Sequence, residues 1–253
     1  MKSTGLKLSF AAAMLASVAV PALADDAPAW GTVSAYVAVE SDYRYRGISQ
    51  NSKEFTPEGS INWTGPLGFY AGTWLAKTNW GAPNNDPSFE MDIYGGKHFD
   101  LGGTDLNVEA YYYSYPDFNA YGGHAASYFE IQSYLSHTFD KLTLTATGAY
   151  SPQWSLGLGD GWYGAGTASY ALNDWLSVSS TIGHQWVQNI PGDGYTHWDV
   201  GFTATYKSFT FDVRYVGNSL TEGDCSTYWM STHKACSDTV KANLTFNVAD
   251  ILK

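Results

Sequence analysis

Apolar and polar residues alternate along twelve short segments of the chain, and the connections between those segments are short and long in strict turn. A period of two sends successive side chains to opposite faces of an extended strand, so each segment reads as a β-strand with one apolar and one polar face. In the first, Val33, Ala35, Val37 and Val39 share one face, with Thr32, Ser34, Tyr36 and Glu40 on the other. The fourth sets Phe89, Met91 and Ile93 against Glu90, Asp92 and Tyr94, and the fifth sets Leu106, Val108 and Ala110 against Asn107, Glu109 and Tyr111. The tenth and eleventh repeat the scheme with Asp199, Asp212 and Arg214 on their polar faces, and the twelfth does so with Lys241. Gly and Trp interrupt the alternation in the second, third and eighth segments (58–64, 69–77 and 162–170). Merging the second and third, or losing the eighth, would leave ten strands.

The connections at 65–68, 100–104, 139–141, 171–174 and 206–208 are tight, whereas those at 50–56, 78–87, 114–125, 151–161, 185–195 and 217–237 are long and polar. A membrane barrel with both chain ends on the periplasmic side has this parity, since every second connection is then a periplasmic turn and the others grow outward. The pattern therefore predicts an all-β, up-and-down antiparallel transmembrane barrel of about twelve strands. A soluble β-protein would require the apolar faces to pack inward.

Residues 1–24 carry Lys2 and Lys7, an apolar run from Leu8 to Val20, and Ala22-Leu23-Ala24 before Asp25. This is the form of a cleaved secretory signal, which leaves residues 25–253 as one barrel domain and implies export to the bacterial outer membrane. Beyond Val20 no stretch approaches the roughly 20 apolar residues of a membrane-spanning helix. Aromatics are 16% of the residues, with 19 Tyr and 10 Trp, in keeping with the rings that girdle membrane barrels at both interfaces. Net charge is −11, and −13 once Lys2 and Lys7 are lost, which argues against nucleic acid or anionic surfaces as partners.

If the apolar faces meet lipid, the interior holds Glu40, Asp42, Arg44, Arg46, Glu90, Asp92, Glu109, Glu130, Asp199, Asp212 and Arg214. These are the candidate pore-lining and selectivity residues. Unpaired buried charge is costly, so internal ion pairing is one reading and a cation-preferring path lined by excess carboxylate is the other. For Asp42, Arg44 and Arg46 a ladder of ion pairs continuing the face of Glu40, and fixing the register of the first strand, is favoured over contact with solute. Twelve strands lie between the filled interior of eight and the aqueous channel of sixteen, so the pore is expected to be narrow.

Cys225 and Cys236, in the longest loop of an exported chain, are expected to form a disulfide. The alternative is a metal site that would need His233, Glu222 and Asp224. Six histidines occur, none in a Gly-x-Ser-x-Gly or His-Glu-x-x-His context, and no phosphate-binding loop is present, so no enzyme activity and no cofactor are expected. His184 and His197 flank one loop with Asp199 nearby and form a weaker metal or proton-site candidate.

The segment Ser41-Asp42-Tyr43-Arg44-Tyr45-Arg46-Gly47-Ile48-Ser49-Gln50, directly after the first strand, resembles the signature of the TorF family of porin-like proteins. The resemblance continues through Gly68-Phe69-Tyr70-Ala71-Gly72, Glu90-Met91-Asp92-Ile93-Tyr94-Gly95-Gly96 and Tyr113-Ser114-Tyr115-Pro116. It implies a bacterial outer-membrane barrel with a channel role and no catalytic residues. Two functions follow: passive passage of small hydrophilic solutes with a bias towards cations, or a non-conducting barrel whose acidic, aromatic loops, including Tyr228, Trp229 and Met230, bind a ligand or partner. A monomer surrounded by outer-membrane lipid is the expected state.

Overall fold

The computed structural model describes residues 29–81, 86–118, 124–190, 192, 194–228 and 234–248. The expected signal segment at 1–24 lies outside the described residues.

Among them, twelve antiparallel strands close on themselves: β1 (Thr32–Glu40), β4 (Thr56–Thr64), β5 (Phe69–Lys77), β6 (Phe89–Asp100), β7 (Thr104–Ser114), β8 (Tyr128–Phe139), β9 (Leu142–Ser151), β10 (Gly161–Ala171), β11 (Leu176–Val187), β12 (Tyr195–Tyr206), β13 (Phe209–Asn218) and β14 (Thr239–Val248). Each pairs with its sequence neighbour, and β1 closes the ring on β14 with Ala35 opposite Val248 and Glu40 opposite Asn243. A separate two-stranded piece, β2 (Arg44–Tyr45) and β3 (Ile48–Ser49), lies within the first long connection. A short helix, α1 (Glu222–Tyr228), lies in the last.

The twelve-strand reading therefore holds against ten. β4 and β5 stay separate because Gly65-Pro66-Leu67-Gly68 turns the chain there, with Leu67 and Gly68 at positive φ. The interrupted β10 keeps full pairing on both sides, and its faces resolve with Tyr163 and Ser169 buried inward while Trp162 and Tyr170 are exposed outward. Tight turns and both described chain ends share one end of the barrel, here the turn end, and the long connections gather at the other, the loop end.

The outer face is mainly apolar across its middle. Val37, Ile61, Leu75, Ile93, Ile131, Leu144, Ile182, Val200, Phe202, Val240 and Leu244 all point out and are exposed, which is tolerable only where the surroundings are hydrocarbon. Exposed aromatics bracket this band. Phe69, Phe99, Phe139, Tyr170, Trp175, Tyr206 and Phe209 ring the turn end, and Tyr112, Phe129, Trp162, Trp186, Trp198 and Tyr215 ring the other. From Phe129 to Phe139, at about 3.3 Å per residue and a tilt of about 40°, the two rings stand about 25 Å apart, the height of the apolar band of an outer-membrane barrel. Many tyrosines do not serve as girdle at all. Tyr70, Tyr94, Tyr111, Tyr113 and Tyr128 are buried inside the barrel and pack with Trp74 and Trp154, a second apolar cluster within the lumen.

Phe202 sits midway between the girdle residues Trp198 and Tyr206 on β12 and faces lipid. Phe202→Arg should lower unfolding free energy in lipid vesicles by about 2–4 kcal/mol. Thr205→Arg, from the lumen face of the same strand, should change it by no more than about 0.5 kcal/mol. Urea titrations of the two variants against the wild type provide the check.

Candidate functional site

The first barrel strand ends at Glu40, and the next residues leave the wall. The expected ladder through Asp42, Arg44 and Arg46 is thus corrected: these residues do not continue the face of Glu40. They belong to a hairpin that folds into the barrel mouth. The cause is local, because Arg46 and Gly47 both take positive φ (45° and 86°) between the paired residues Tyr45 and Ile48. That is the two-residue turn whose twist suits a tight hairpin. Gly47 is also required sterically, since a Cβ there would lie 2.7 Å from Cβ of His197 on β12 and 3.2 Å from the Gly217 carbonyl oxygen.

The hairpin places one charged side chain deep in the lumen. The Arg46 guanidinium donates to both carboxylate oxygens of Glu130 on β8, at 3.0 and 2.8 Å, and to the amide oxygen of Gln185 on β11. It lies 4.0 Å from the ring centre of Tyr163 and 4.7 Å from that of Tyr45. Glu130 accepts further bonds from Tyr113 (3.2 Å) and Gln132 (3.1 Å). Arg46 and Glu130 are 3% and 1% exposed, so this pair is closed off from water and cross-braces the interior.

The other predicted charges divide into two groups. Arg214 donates to Asp199 and, at 3.0 and 3.3 Å, to Asp212, with Ser179 as a further acceptor; Lys241 pairs with Glu40. Arg44 bonds Asp42 at 2.7 Å within the hairpin. For these the ion-pair reading holds. Glu90, Asp92 and Glu109, by contrast, form no salt bridge among the described residues. Their partners are phenols: Tyr43 donates to Glu90 (3.0 Å), Tyr111 to Asp92 (2.9 Å), and Tyr70 and Tyr134 to Glu109 (3.2 Å each).

Sequence reasoning missed Glu58, which shares the inward face of β4 and accepts from Asn243 at 3.0 Å. Its period-two neighbours Ser60 and Asn62 were the available signal, obscured by Gly59 and Trp63. It also missed Gln132 and Gln185, uncharged residues that the buried guanidinium and carboxylate require as partners.

Cys225 and Cys236 are joined, as expected, and the metal alternative for them falls away. Of its further ligands, His233 lies outside the described residues, as do Trp229, Met230 and the side chain of Tyr228. The His184–His197 site is also corrected. His197 points inward and bonds Tyr163 at 2.8 Å, while His184 shares the outward face of β11 and packs on Trp186 with ring centres 4.3 Å apart. An odd separation in register sends the two rings to opposite sides of the wall.

The disulfide loop packs against the hairpin. Ile48 joins Cys225, Ala235, Cys236 and Tyr195 in one buried cluster, and Asn218 donates to both the Gly47 and the Cys236 carbonyl oxygens, at 3.0 and 2.8 Å. Lys53, at the same junction, donates to the Ser237 hydroxyl at 2.7 Å; partial burial, with Arg44 nearby, pushes its ammonium below the usual range. On the other flank a cavity of about 60 Å³ opens among Tyr45, Trp80, Tyr115, Tyr128, Trp154 and Leu156.

The fold and interior define a transmembrane β-barrel with a polar, acid-rich lumen whose loop end is filled by an inward hairpin. The family profile described as "Bacterial protein of unknown function (Gcw_chp)" matches residues 24–251, and the chain belongs to that family. The family that matches carries this description, and not the TorF name that the residue 41–50 segment suggested. No curated protein matches the chain. Among solved structures, the KdgM porin superposes with a TM-score of 0.56 over 85% of this chain and 98% of its own, at 7% identity. The NanC porin does so at 0.53 over 87% and 100%, at 9% identity. An outer membrane channel from Pseudomonas putida F1 gives 0.53 over 88% and 97%, at 10% identity. At such identities the likeness is one of fold.

Arg214→Met leaves Asp199 and Asp212 facing each other without their cation and should destabilise the barrel by about 3–5 kcal/mol. The triple variant R214M/D199N/D212N should recover most of that loss. Denaturant midpoints of the two variants, compared with wild type, give the measurement.

Proposed function

We propose that the protein is a narrow, porin-like channel of the bacterial outer membrane, passing small hydrophilic solutes with a preference for cations. The observation that carries this reading is the inward charge set. Glu58, Glu90, Asp92 and Glu109 lack a paired cation among the described residues, whereas Arg44, Arg46, Arg214 and Lys241 are each engaged by carboxylate. A lumen with surplus carboxylate lowers the energy of a passing cation and raises that of an anion. The residue 41–50 segment resembling TorF porin-like proteins, the outward apolar band and the fold shared with solved porins support the same reading.

The KdgM porin has been solved in complex with disordered oligogalacturonate, a polyanion. The acidic lumen of this chain is ill-suited to such cargo, and we assign it neutral or cationic solutes. Glu40, Asp42, Arg44, Arg46, Glu90, Asp92, Glu109, Glu130, Asp199, Asp212 and Arg214 are proposed to line or brace the path.

A second reading, a barrel that does not conduct and serves through its loops, draws on the hairpin filling the mouth. Planar-bilayer recording under a salt gradient separates the two. Discrete conductance steps with a cation-biased reversal potential are expected, and Glu109→Gln combined with Glu58→Gln should move that potential towards zero. A correctly folded barrel that stays silent would establish the second reading.

A further inference from the structure

Between Trp63 on β4 and Val108 on β7 the outer wall is hollowed into an apolar groove of about 670 Å³, a volume in the range of small-ligand sites. Its floor is shallow because Gly95 on β6 presents no side chain and stands in register between Ala71 on β5 and Ala110 on β7. Crowding does not require that glycine. A Cβ there would come no nearer than 3.4 Å to the Tyr70 carbonyl oxygen and 3.7 Å to Cβ of Ala71. At the turn end of the groove stands Lys97, directly opposite the girdle residue Phe69. Its ammonium lies 4.9 Å from the ring centre of Phe69 and 5.0 Å from that of Phe99, which hold it at the level of the membrane interface. Lys97 forms no salt bridge among the described residues. The carboxylates of the adjoining turn are engaged elsewhere: Asp100 accepts from the Gly102 N–H at 2.9 Å, and Asp105 lies 3.3 Å from His98.

We propose that this groove seats one anionic glycerophospholipid of the leaflet at the turn end, with its phosphate on Lys97 and an acyl chain running over Gly95 towards Ile93. Charge selects the occupant. Among the described barrel strands no outward-facing position is Asp or Glu, so a second barrel packed against this wall would bring Lys97 no anion. Two copies related by a twofold axis would instead set like charges near one another. A lipid phosphate supplies the opposite charge at the depth of Lys97, and its hydrocarbon covers the apolar floor. A zwitterionic lipid brings an ammonium of its own and gains less from the same lysine. From Lys97 to Ile93, four residues at about 3.3 Å each and a tilt of about 40° reach about 10 Å further into the bilayer, along the line of an acyl chain.

The test uses the refolded full-length barrel in detergent micelles, titrated with phosphatidylglycerol or phosphatidylethanolamine of identical acyl chains and read by native mass spectrometry. Wild type, Lys97→Gln, Gly95→Leu and Lys207→Gln are compared, each checked for folding by heat-modifiable gel migration. Lys207 is the control, since it stacks on Tyr206 at 5.3 Å in the same girdle but outside the groove. Wild type should hold one phosphatidylglycerol about five-fold more tightly than phosphatidylethanolamine, the preference that one interfacial lysine supplies. Lys97→Gln should abolish that preference, Gly95→Leu should weaken retention of both lipids, and Lys207→Gln should alter neither. Equal retention of the two lipids by wild type, or a loss from Lys207→Gln as large as that from Lys97→Gln, would overturn the site. A barrel dimer that Gly95→Leu disperses would overturn it in favour of a second copy, and displacement of the lipid by inorganic phosphate would reduce it to a headgroup contact without an acyl seat.

Discussion

Hydrocarbon offers no hydrogen bonds to a peptide group, so a sheet that crosses a membrane cannot have an edge. Everything in this molecule follows from meeting that constraint by pairing β1 with β14. Once the ring is closed, each strand has one face that must be apolar and one that is free of lipid. The period-two pattern of the chain divides cleanly between them, with Phe202 and Val200 outside and Asp199 and Thr203 inside on a single strand. Closure also fixes which end each connection occupies, and so gathers the long ones where they can fold back over the mouth.

The interior that closure creates is too wide for side chains from the wall alone to fill, and the chain fills its loop end in two ways. Large aromatic residues reach inward, with Tyr94 stacked on Tyr111 at 5.1 Å and Tyr113 on Tyr128 at 4.5 Å. The 41–55 hairpin then enters among them. This arrangement explains why a membrane barrel contains a buried apolar cluster facing its own lumen. It also explains why Glu90 and Asp92 tolerate burial beside phenols, which donate hydrogen bonds to a carboxylate without contributing a charge.

The electrostatics of the two halves differ as a consequence. Towards β12–β14 the charges neutralise one another through Arg214 and Lys241, and that side of the wall is braced. Towards β4–β7 the carboxylates face phenols and amides instead of cations. On the proposed channel reading, that side is the wall a permeating cation would follow, without a symmetric ring of charge.

Strand number, the inward placement of Glu40, Glu90, Asp92, Glu109, Glu130, Asp199, Asp212 and Arg214, the parity of the loops and the disulfide were all legible in the chain. Each depends on something local: a period of two, a turn residue, or a pair of cysteines in an exported loop. The fate of Asp42, Arg44 and Arg46 was not legible, because an alternating segment reads the same whether it extends a wall or turns back at Arg46-Gly47. The partners of Arg46 lie 84 and 139 residues away, on strands brought opposite it only by closure of the ring. Likewise the sequence could mark His184 and His197 as neighbours of one loop, but the side of the wall each ring takes is a matter of register. Local periodicity thus determined what the wall is made of, and only the closed tertiary structure decided what stands across the lumen from what.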